Sequence, residues 1–137
     1  MARHSYACAM RWADMDAQGH INNSAFLVYL EQARIDLFFH RATARGLTSI
    51  AGGVVVSRHE IDYRRPVVYA PEPLDIDIWC SSVRAAAFTV DYEIRADGEL
   101  VVLARSVCVP FDLGGSRPRR LTDERGFLAE LGGDEPT

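Results

Sequence analysis

The chain has 137 residues, of which 48% are hydrophobic and 25% charged, and its formal net charge is −4. This length suits one domain around one core, and the composition is that of a globular protein rather than a disordered chain or a coiled coil. No apolar run approaches the roughly 18 residues of a membrane-spanning helix, and the acidic balance disfavours nucleic acid as a partner.

The cysteine and lysine content limits which reactions the protein could catalyse and indicates its cellular compartment. Cys8, Cys80 and Cys108 are odd in number and unrelated in spacing, which predicts free thiols and a cytoplasmic protein. The N-terminal segment lacks the apolar stretch of a signal peptide, so we expect no secretion. All 15 basic residues are arginines, which excludes Schiff-base chemistry and a Walker-type phosphate loop.

The first predicted elements are a strand and a long helix. Residues 5–12 alternate weakly between apolar and polar side chains and predict the strand. Residues 24–45 contain no Gly or Pro, and apolar residues recur there at three- and four-residue steps, as on one face of a helix. The members of this stripe are Phe26, Tyr29, Leu30, Ala33, Leu37 and Phe38. Because Ala25, Val28, Ile35 and Phe39 lie outside it, we expect a central helix that other structure surrounds.

Beyond Gly53 the apolar pattern changes to a period of two, which predicts strands. The first strand ends at Arg65-Pro66, since proline cannot donate to a ladder. Its expected shared face consists of Val55, Ser57, His59, Ile61 and Tyr63. The next two strands show apolar sets Leu74, Ile76, Ile78, Cys80 and Phe88, Val90, Tyr92, Ile94.

Asp97-Gly98 predicts a two-residue hairpin turn, because both central positions of that turn need a positive φ. A two-residue turn without a bulge predicts which residues of the two strands lie opposite each other. In this register Arg105 faces Val90, and it is the one charged residue opposite the apolar face of the preceding strand. The predicted apolar pairs are Ile94 with Val101, Tyr92 with Leu103, and Phe88 with Val107.

One long helix followed by short-linked antiparallel strands predicts an α+β domain whose sheet wraps the helix. We expect this domain to span 1–137 with a C-terminal tail from about residue 113. Within the tail, 113–121 predicts an exposed loop and 122–131 a short helix capped by Thr122.

The loop Asp14–Asn23 concentrates two carboxylates, a histidine and three amides just before the start of the long helix. Asn22, Asn23 or Ser24 could cap that helix, and Gly46 could end it. The unpaired backbone N–H groups of a helix start favour a developing oxyanion. A carboxylate and an imidazole beside them supply a nucleophile or base, which together predicts acyl transfer.

Other sites fit this loop less well. A calcium loop needs a bidentate glutamate where Ala25 stands, and the four histidines are too widely spaced in sequence for a zinc motif. A phosphatase with an Asp-x-Asp motif would need a doubly wound parallel sheet. The remaining alternative is structural: a turn in which Asp and Asn side chains bond their own backbone. We therefore predict no metal site and no cofactor.

The motif Arg11-Trp12-x-Asp14-x-Asp16-x-x-Gly19-His20-Ile21-Asn22-Asn23 resembles the hotdog-fold acyl-CoA thioesterases of the 4-hydroxybenzoyl-CoA thioesterase type. The segments Tyr29-x-Glu31-x-Ala33-Arg34 and Asp62-Tyr63-Arg64-Arg65-Pro66-Val67 extend the likeness over residues 5 to about 112. The resemblance implies a hotdog fold, hydrolysis of an acyl thioester, and a homodimer or dimer of dimers with active sites at the dimer interface.

The resemblance also implies roles for particular residues. Asp16 matches the family's catalytic aspartate, acting as nucleophile or general base, and Asn23 matches the helix-start residue whose N–H polarises the thioester carbonyl. His20 stands where the benzoyl-type enzymes carry an apolar residue, and it matches the histidine of the plant acyl-carrier-protein thioesterases, which this stretch also resembles. It is the third predicted catalytic residue, which orients water or the carbonyl or else fixes the loop. The predicted substrate-binding residues are Gln18, Gly19, Asn22, Ser57, His59, Arg64 and Arg65, the arginines toward the coenzyme A phosphates.

Several alternatives stay open on the sequence. Glu31 is a second candidate carboxylate, although we expect it to form an i,i+3 ion pair with Arg34 instead. The thiol of the substrate is coenzyme A or an acyl carrier protein. Two other functions stay open: that of a hotdog dehydratase or hydratase, and that of a non-catalytic acyl-thioester-binding protein.

Overall fold

The computed structural model describes residues 3–47 and 50–132. Within them an antiparallel sheet curls around one long helix, which confirms the predicted α+β architecture. The first two residues, and 133–137 of the predicted tail, lie outside the described part. The strands are β1 (His4–Cys8), β2 (Val54–Tyr63), β3 (Leu74–Val83), β4 (Phe88–Ala96), β5 (Glu99–Asp112) and β6 (Arg117–Pro118). Helix α1 spans 23–44, and helix α2 is Glu124–Glu130.

The sheet has the order β1-β3-β4-β5-β2, so β1 and β2 form its edges, and β6 pairs with the end of β5. Every pairing is antiparallel. Both predicted apolar sets of β3 and β4 are buried against the helix, as the period-two pattern requires. The concave face of the sheet and the helix stripe therefore share one core.

Helix α1 is continuous but not uniform. It is α-helical over Asn23–Ile35, takes a wider π-helical turn over Asp36–Arg41 and ends with Ala42–Ala44. The π-helical turn begins at Asp36. The carboxylate of this residue forms hydrogen bonds with the ring of His4 in β1, at 2.7 Å, and with the ring of His40, at 3.0 Å. Gly46, with φ of 80°, follows the helix end as predicted.

The helix presents two different faces. All six residues of the predicted stripe are buried, with exposed fractions of 4% or less. The expectation that the rest of the helix is surrounded is wrong for the single chain. Val28, Ile35 and Phe39 are 50%, 41% and 48% exposed. One apolar face of α1 therefore lies uncovered along its length.

The first strand is shorter than the predicted 5–12. Its last pair joins Cys8 to Leu74, where β3 begins directly after Pro73. With no strand partner beyond that pair, the chain leaves the sheet and forms a short 3-10 turn over Trp12–Asp14. Trp12, which the predicted strand included, is 71% exposed in that turn.

The predicted face of β2 is also incorrect at its start. A bulge at Ser57 shifts the pairing with β5 between Val56 and Arg58. An extra residue reverses the alternation of the strand. Val54 and Val56 consequently pack against the core, whereas Val55 is exposed.

The Asp97-Gly98 turn is confirmed, with φ of 53° and 80° at the two residues. The predicted register is wrong by one residue, because a bulge follows the turn and Ile94 pairs with Val102 rather than Val101. The shift removes the predicted break in the face. Arg105 lies opposite Asp91 and bonds both of its carboxylate oxygens, at 2.9 and 3.0 Å.

The C-terminal tail contains more structure than expected. Strand β6 lies inside the predicted exposed loop, and α2 begins at Glu124 without a capping bond from Thr122. The Thr122 hydroxyl instead donates to the carboxylate of Glu124, which is fully buried. In the described part of the chain, neither helix has the length and apolarity needed to cross a membrane.

Candidate active site

The loop before α1 folds as a very small hairpin. Met15 and Ile21 form an isolated antiparallel bridge, and the Gly19 N–H donates to the Asp16 carbonyl at 3.0 Å to close the turn. Gly19 has a φ of 79°, a backbone conformation that favours glycine. The Ile21 N–H donates to the Val67 carbonyl at 2.7 Å and fixes the loop to the segment after β2.

Asp16 lies at the tip of this hairpin and is exposed. One carboxylate oxygen, Oδ1, accepts the Gln18 backbone N–H at 2.9 Å, as in an Asx turn. The structural alternative, a turn in which the Asp side chain bonds its own backbone, is therefore realised at Asp16. It occupies one oxygen of the carboxylate, and Oδ2 has no partner among the described residues, so the side chain is oriented but retains a free oxygen.

The start of α1 leaves one amide without an acceptor. The Asn22 side chain accepts the Ser24 N–H at 2.9 Å, which identifies Asn22 as the capping residue. The Asn22 N–H itself donates to the Asp14 carbonyl at 2.9 Å. Between them, the Asn23 N–H has no acceptor among residues 3–47 and 50–132. It is a free donor at the positive end of the helix dipole.

Strand β2 reaches the same point from the opposite side. The Tyr63 hydroxyl, at the end of the strand, donates to the Asn23 carbonyl at 2.9 Å. Its ring packs edge-on against Phe26 with 5.8 Å between the centroids. Tyr63 is a site residue that the period-two pattern predicts only as part of a strand face, although it lies inside the Asp62–Val67 motif.

Together these elements form a cleft of about 420 Å³. One wall is the loop and the helix start, and the other is the end of β2 with the segment that follows it. The cleft thus brings together most of the predicted catalytic and binding residues. Its lining residues are Asp16, Gln18, His20, Ile21, Asn22, Asn23, Phe26, Tyr63, Arg64, Arg65, Pro66 and Val67.

His20 is half-buried in this cleft. Its carbonyl accepts the Asp16 N–H at 3.0 Å, whereas its ring makes no hydrogen bond with a described residue. The imidazole is therefore available to a ligand, and it is the backbone of His20 that holds the loop.

Arg64 and Arg65 form the rim of the cleft. Arg64 pairs with Asp62 at 2.7 Å and Arg65 with Glu99 at 3.5 Å, and all four side chains are at least half exposed. Exposed pairs of this kind contribute only about 0–1 kcal/mol. Either guanidinium can exchange its carboxylate partner for a phosphate at small cost.

Two predicted binding residues lie elsewhere. Ser57 is at the bulge of β2, where its hydroxyl contacts the Val107 carbonyl at 3.4 Å. His59 is further along the strand, and its Nδ1 bonds the Ser106 hydroxyl at 2.8 Å. Neither lines the cleft that contains Asp16.

The expected ion pair between Glu31 and Arg34 is absent. Arg34 turns toward the sheet, where Nη1 donates to the Tyr92 hydroxyl at 3.0 Å. Glu31 and Arg34 line a second, more apolar cleft of about 520 Å³ between the middle of α1 and the start of β2. The i,i+3 spacing did not determine the partner, because Tyr92 of the sheet offers a buried acceptor.

The cysteines match the prediction of free thiols. All three cysteines are free and buried, and burial raises the thiol pKa of Cys8 and Cys80 to about 11, so these are thiols of the core. In the described ranges, no group of three or more His, Cys, Asp or Glu side chains is placed to hold a metal ion.

Comparison with known proteins identifies the class of the chain. The family model of the thioesterase-like superfamily matches residues 10–129, well over half of the sequence. The chain therefore belongs to the thioesterase-like superfamily, which confirms the resemblance and the prediction of a thioester hydrolase with a hotdog fold. No curated protein sequence matches the chain significantly.

Solved structures agree with this assignment. A predicted thioesterase from Bacillus stearothermophilus is similar over 99% of this chain and 100% of its own, with 26% identity and a TM-score of 0.84. A thioesterase from Thermus thermophilus, crystallised with coenzyme A and zinc, has 26% identity and a TM-score of 0.75 over 90% of this chain and 94% of its own. A DHNA-CoA thioesterase from Staphylococcus aureus shares the fold at 20% identity, with a TM-score of 0.77 over 96% and 89%.

Proposed function

We propose that this protein hydrolyses an acyl-CoA thioester to the free acid and thiol at the cleft beside the start of α1. The observation that supports this most directly is the presence in one cleft of an aspartate with a free carboxylate oxygen, Asp16, and an amide without an acceptor, at Asn23. Acyl transfer needs this pair: a nucleophile or base, and a donor for the carbonyl oxygen.

In the proposed mechanism the carbonyl oxygen accepts the Asn23 N–H, and the helix dipole stabilises its negative charge in the tetrahedral intermediate. Asp16 either attacks the carbonyl carbon, giving an anhydride that water then hydrolyses, or removes a proton from the attacking water. His20 orients the water or the carbonyl. The side chains of Gln18 and Asn22 frame the cleft around the reacting groups.

The thiol side of the substrate is assigned to coenzyme A. Arg64 and Arg65 lie at the cleft rim, and guanidinium groups suit phosphates. The Thermus relative binds coenzyme A, which supports the same ligand here. Water is the only co-reactant, so the proposed reaction needs no cofactor and no metal. Its proposed location is the cytoplasm, where the three cysteines stay reduced.

We also propose that two copies form a homodimer along β2. This strand is a sheet edge of ten residues, Val54–Tyr63, whose outer backbone groups have no strand partner in the described chain. Such an edge pairs readily with a second strand. The uncovered apolar face of α1, with Ile35 and Phe39, lies next to the start of β2. A second copy would cover the edge and this face together.

The test is the substitution Asp16→Asn, assayed with a panel of acyl-CoAs and a thiol reagent. Asparagine keeps the oxygen that accepts the Gln18 N–H, so the loop and the stability should stay unchanged while the charge is lost. We expect kcat to fall by about 10²–10⁴-fold, which is the usual contribution of a general base. Asp75→Asn, on the exposed face of β3, is the matched control and should keep wild-type activity.

The same assay separates the alternatives. A hydratase or dehydratase would change the acyl chain without releasing thiol, and a binding protein would bind the thioester without turnover. Retention of most of the wild-type kcat by Asp16→Asn would contradict the assigned role of this residue.

A further inference from the structure

The arginine side chains that have no partner collect at one end of the molecule. Most arginines bond a carboxylate, a hydroxyl or a ring nitrogen of the described chain. The exceptions, within residues 3–47 and 50–132, are Arg84, Arg117, Arg120 and Arg125. The first lies in the turn between β3 and β4, and the others lie in the C-terminal segment. The Leu121 N–H donates to the Ala85 carbonyl at 2.8 Å, which holds that segment against the turn.

This end of the sheet lies opposite the end that carries the candidate catalytic cleft. Phe88, just after the β3–β4 turn, pairs with Cys108, near the end of β5. Tyr63, in the wall of the cleft, pairs with Val102, near the start of β5. The six residues between Val102 and Cys108 span about 20 Å in an extended strand. In a chain whose formal net charge is −4, uncompensated positive charge is therefore found far from the cleft.

A groove of about 490 Å³ begins at the β3–β4 turn and crosses the outer face of the sheet. Its charged lining residues are Arg58, Arg84, Arg105 and Glu60. The remaining lining residues are Ser81, Ser82, Ala87, Phe88, Thr89 and Val107. The groove and the candidate catalytic cleft share no lining residue. It is therefore a separate cavity on the side of the sheet that faces away from helix α1.

The floor of this groove is a row of side chains across four strands. Arg58 of β2 lies opposite Val107 of β5, and Val107 lies opposite Thr89 of β4. Thr89 in turn lies opposite Ser82 of β3. Because neighbouring strands are about 4.8 Å apart, the row is about 14 Å long. The hydroxyls of Ser82 and Thr89 have no hydrogen-bond partner in the part of the chain that the structure describes, so both can bond a ligand.

The groove keeps a positive charge after its ion pairs are counted. Asp91 binds Arg105 through both carboxylate oxygens, at 2.9 and 3.0 Å, and neutralises it. Arg58 pairs with Glu60 at 2.6 Å, but both of these side chains are more than half exposed. Exposed pairs of this kind are weak, so Arg58 can exchange its carboxylate for another anion. Arg84 has no carboxylate to exchange and is the free guanidinium of the groove.

The donors of the groove fit one chemical class of ligand. Guanidinium groups match the geometry of phosphate oxygens, and hydroxyls donate to the same oxygens. We propose that this groove binds a phosphorylated small molecule, whose phosphate lies between Arg84 and the hydroxyls of Ser82 and Thr89, with Arg58 as a further donor. A second copy paired along β2 would extend the sheet without covering its outer face, so the groove stays open in the proposed homodimer.

The first experiment is calorimetry of the wild-type protein with two probes, pyrophosphate and ADP. We expect binding of at least one probe, and the order of the two affinities distinguishes a simple phosphate from a nucleotide. In Arg84→Gln the affinity should fall by about 10- to 100-fold, which is the usual value of a hydrogen bond to a charged group. Arg95→Gln is the matched control, since it removes the same charge from the outer face outside the groove. Absence of binding by both probes would overturn the proposal.

A comparison with the cleft rim shows which cavity holds the probe. Arg64→Gln should leave the affinity for pyrophosphate unchanged, because Arg64 lines the catalytic cleft and not the groove. A larger loss in Arg64→Gln than in Arg84→Gln would place the probe in the cleft and overturn the proposal. Neither measurement depends on hydrolysis, so the proposed function can fail while the groove is confirmed, and the reverse also holds.

A substitution that strengthens binding tests the role of Arg58. Glu60→Gln removes the carboxylate that competes for this guanidinium, so the affinity for pyrophosphate should rise severalfold. Glu72→Gln removes the same charge just before β3, at the catalytic end of the sheet, and should have no effect. Equal effects of both substitutions would show that only the net charge matters and would contradict the groove.

Amide chemical shifts locate the probe without any substitution. Addition of pyrophosphate to ¹⁵N-labelled wild-type protein should shift the amide signals of Ser82, Arg84 and Thr89. Shifts confined to the loop Asp14–Asn23 would overturn the proposal.

Discussion

The Tyr29 hydroxyl donates to Asp14 Oδ2 at 2.7 Å, which joins the buried face of helix α1 to the loop that carries Asp16. Burial and this bond to Asp14 raise the pKa of Tyr29, so the phenol stays a donor. The Asp14 backbone carbonyl also accepts the Asn22 N–H at 2.9 Å. One residue thus fixes both ends of the candidate catalytic loop, and Asp14 braces this loop against the helix.

Tyr29→Phe should reveal this brace. The substitution leaves the partly buried Asp14 carboxylate without its donor, and we expect the free energy of unfolding to fall by about 1–3 kcal/mol and kcat to fall with it. Urea denaturation and the thioesterase assay measure the two effects. The control is Tyr6→Phe, whose hydroxyl makes only a 3.4 Å contact with Gln32, and a loss of equal size there would contradict the assignment.

Gly98→Ala tests the turn of the β4–β5 hairpin. Gly98 has a φ of 80°, and a Cβ there would meet no other atom within 4 Å, so the cost is purely conformational. We expect a loss of about 1 kcal/mol in unfolding free energy. Gly126→Ala, in the middle of α2 and equally free of contacts, should be neutral or stabilising by up to about 1 kcal/mol. Equal effects at both positions would argue against a conformational cause.

Burial and the nearby Arg34 charge lower the pKa of His59, which predicts a specific pH dependence of stability. Well above pH 6.5 the ring is neutral in both states and contributes nothing to the pH dependence. As pH falls, the unfolded chain binds the proton first, so the free energy of unfolding decreases. His59→Gln lacks this decrease, and its stability relative to wild type should rise between about pH 7 and pH 5. Urea denaturation at fixed protein concentration measures this difference, and parallel pH curves would contradict it.

Phe39→Glu tests the proposed homodimer. Phe39 is 48% exposed on the uncovered apolar face of α1, and a charge there would stay unpaired inside an interface between two copies. We expect wild-type protein to sediment as a dimer or larger and the variant to shift toward monomer. Ala86→Glu, in the exposed turn between β3 and β4, adds the same charge and should not change the oligomeric state. A monomeric wild-type protein would refute the dimer.

Local patterns were sufficient to predict much of the fold and the loop that lines the candidate site. The stripe from Phe26 to Phe38 predicted the buried helix face, because burial on a helix follows a period of 3.6 residues. The Asp97-Gly98 turn was predictable for the same kind of reason, since its φ values exclude most other residues. The loop Asp14–Asn23 was recognised from its composition and its place before a helix.

The pairing of strands and side chains that are distant in sequence decided the remaining features of the fold and the cleft. The bulges at Ser57 and after the β4–β5 turn leave no mark in an alternating sequence, yet each shifts the register of a strand pair. The second bulge moves Arg105 from Val90 to Asp91. Arg34 was expected to pair with Glu31 one turn away, but Tyr92 of the sheet competes for it. The contact of Tyr63 with Asn23 joins residues forty positions apart, and this contact closes the cleft. Sequence by itself determined the buried stripe of the helix, the apolar sets of β3 and β4 and the place of the candidate loop, because periodicity and turn geometry are local. Only the tertiary structure decided which distant side chains meet, because that depends on strand register.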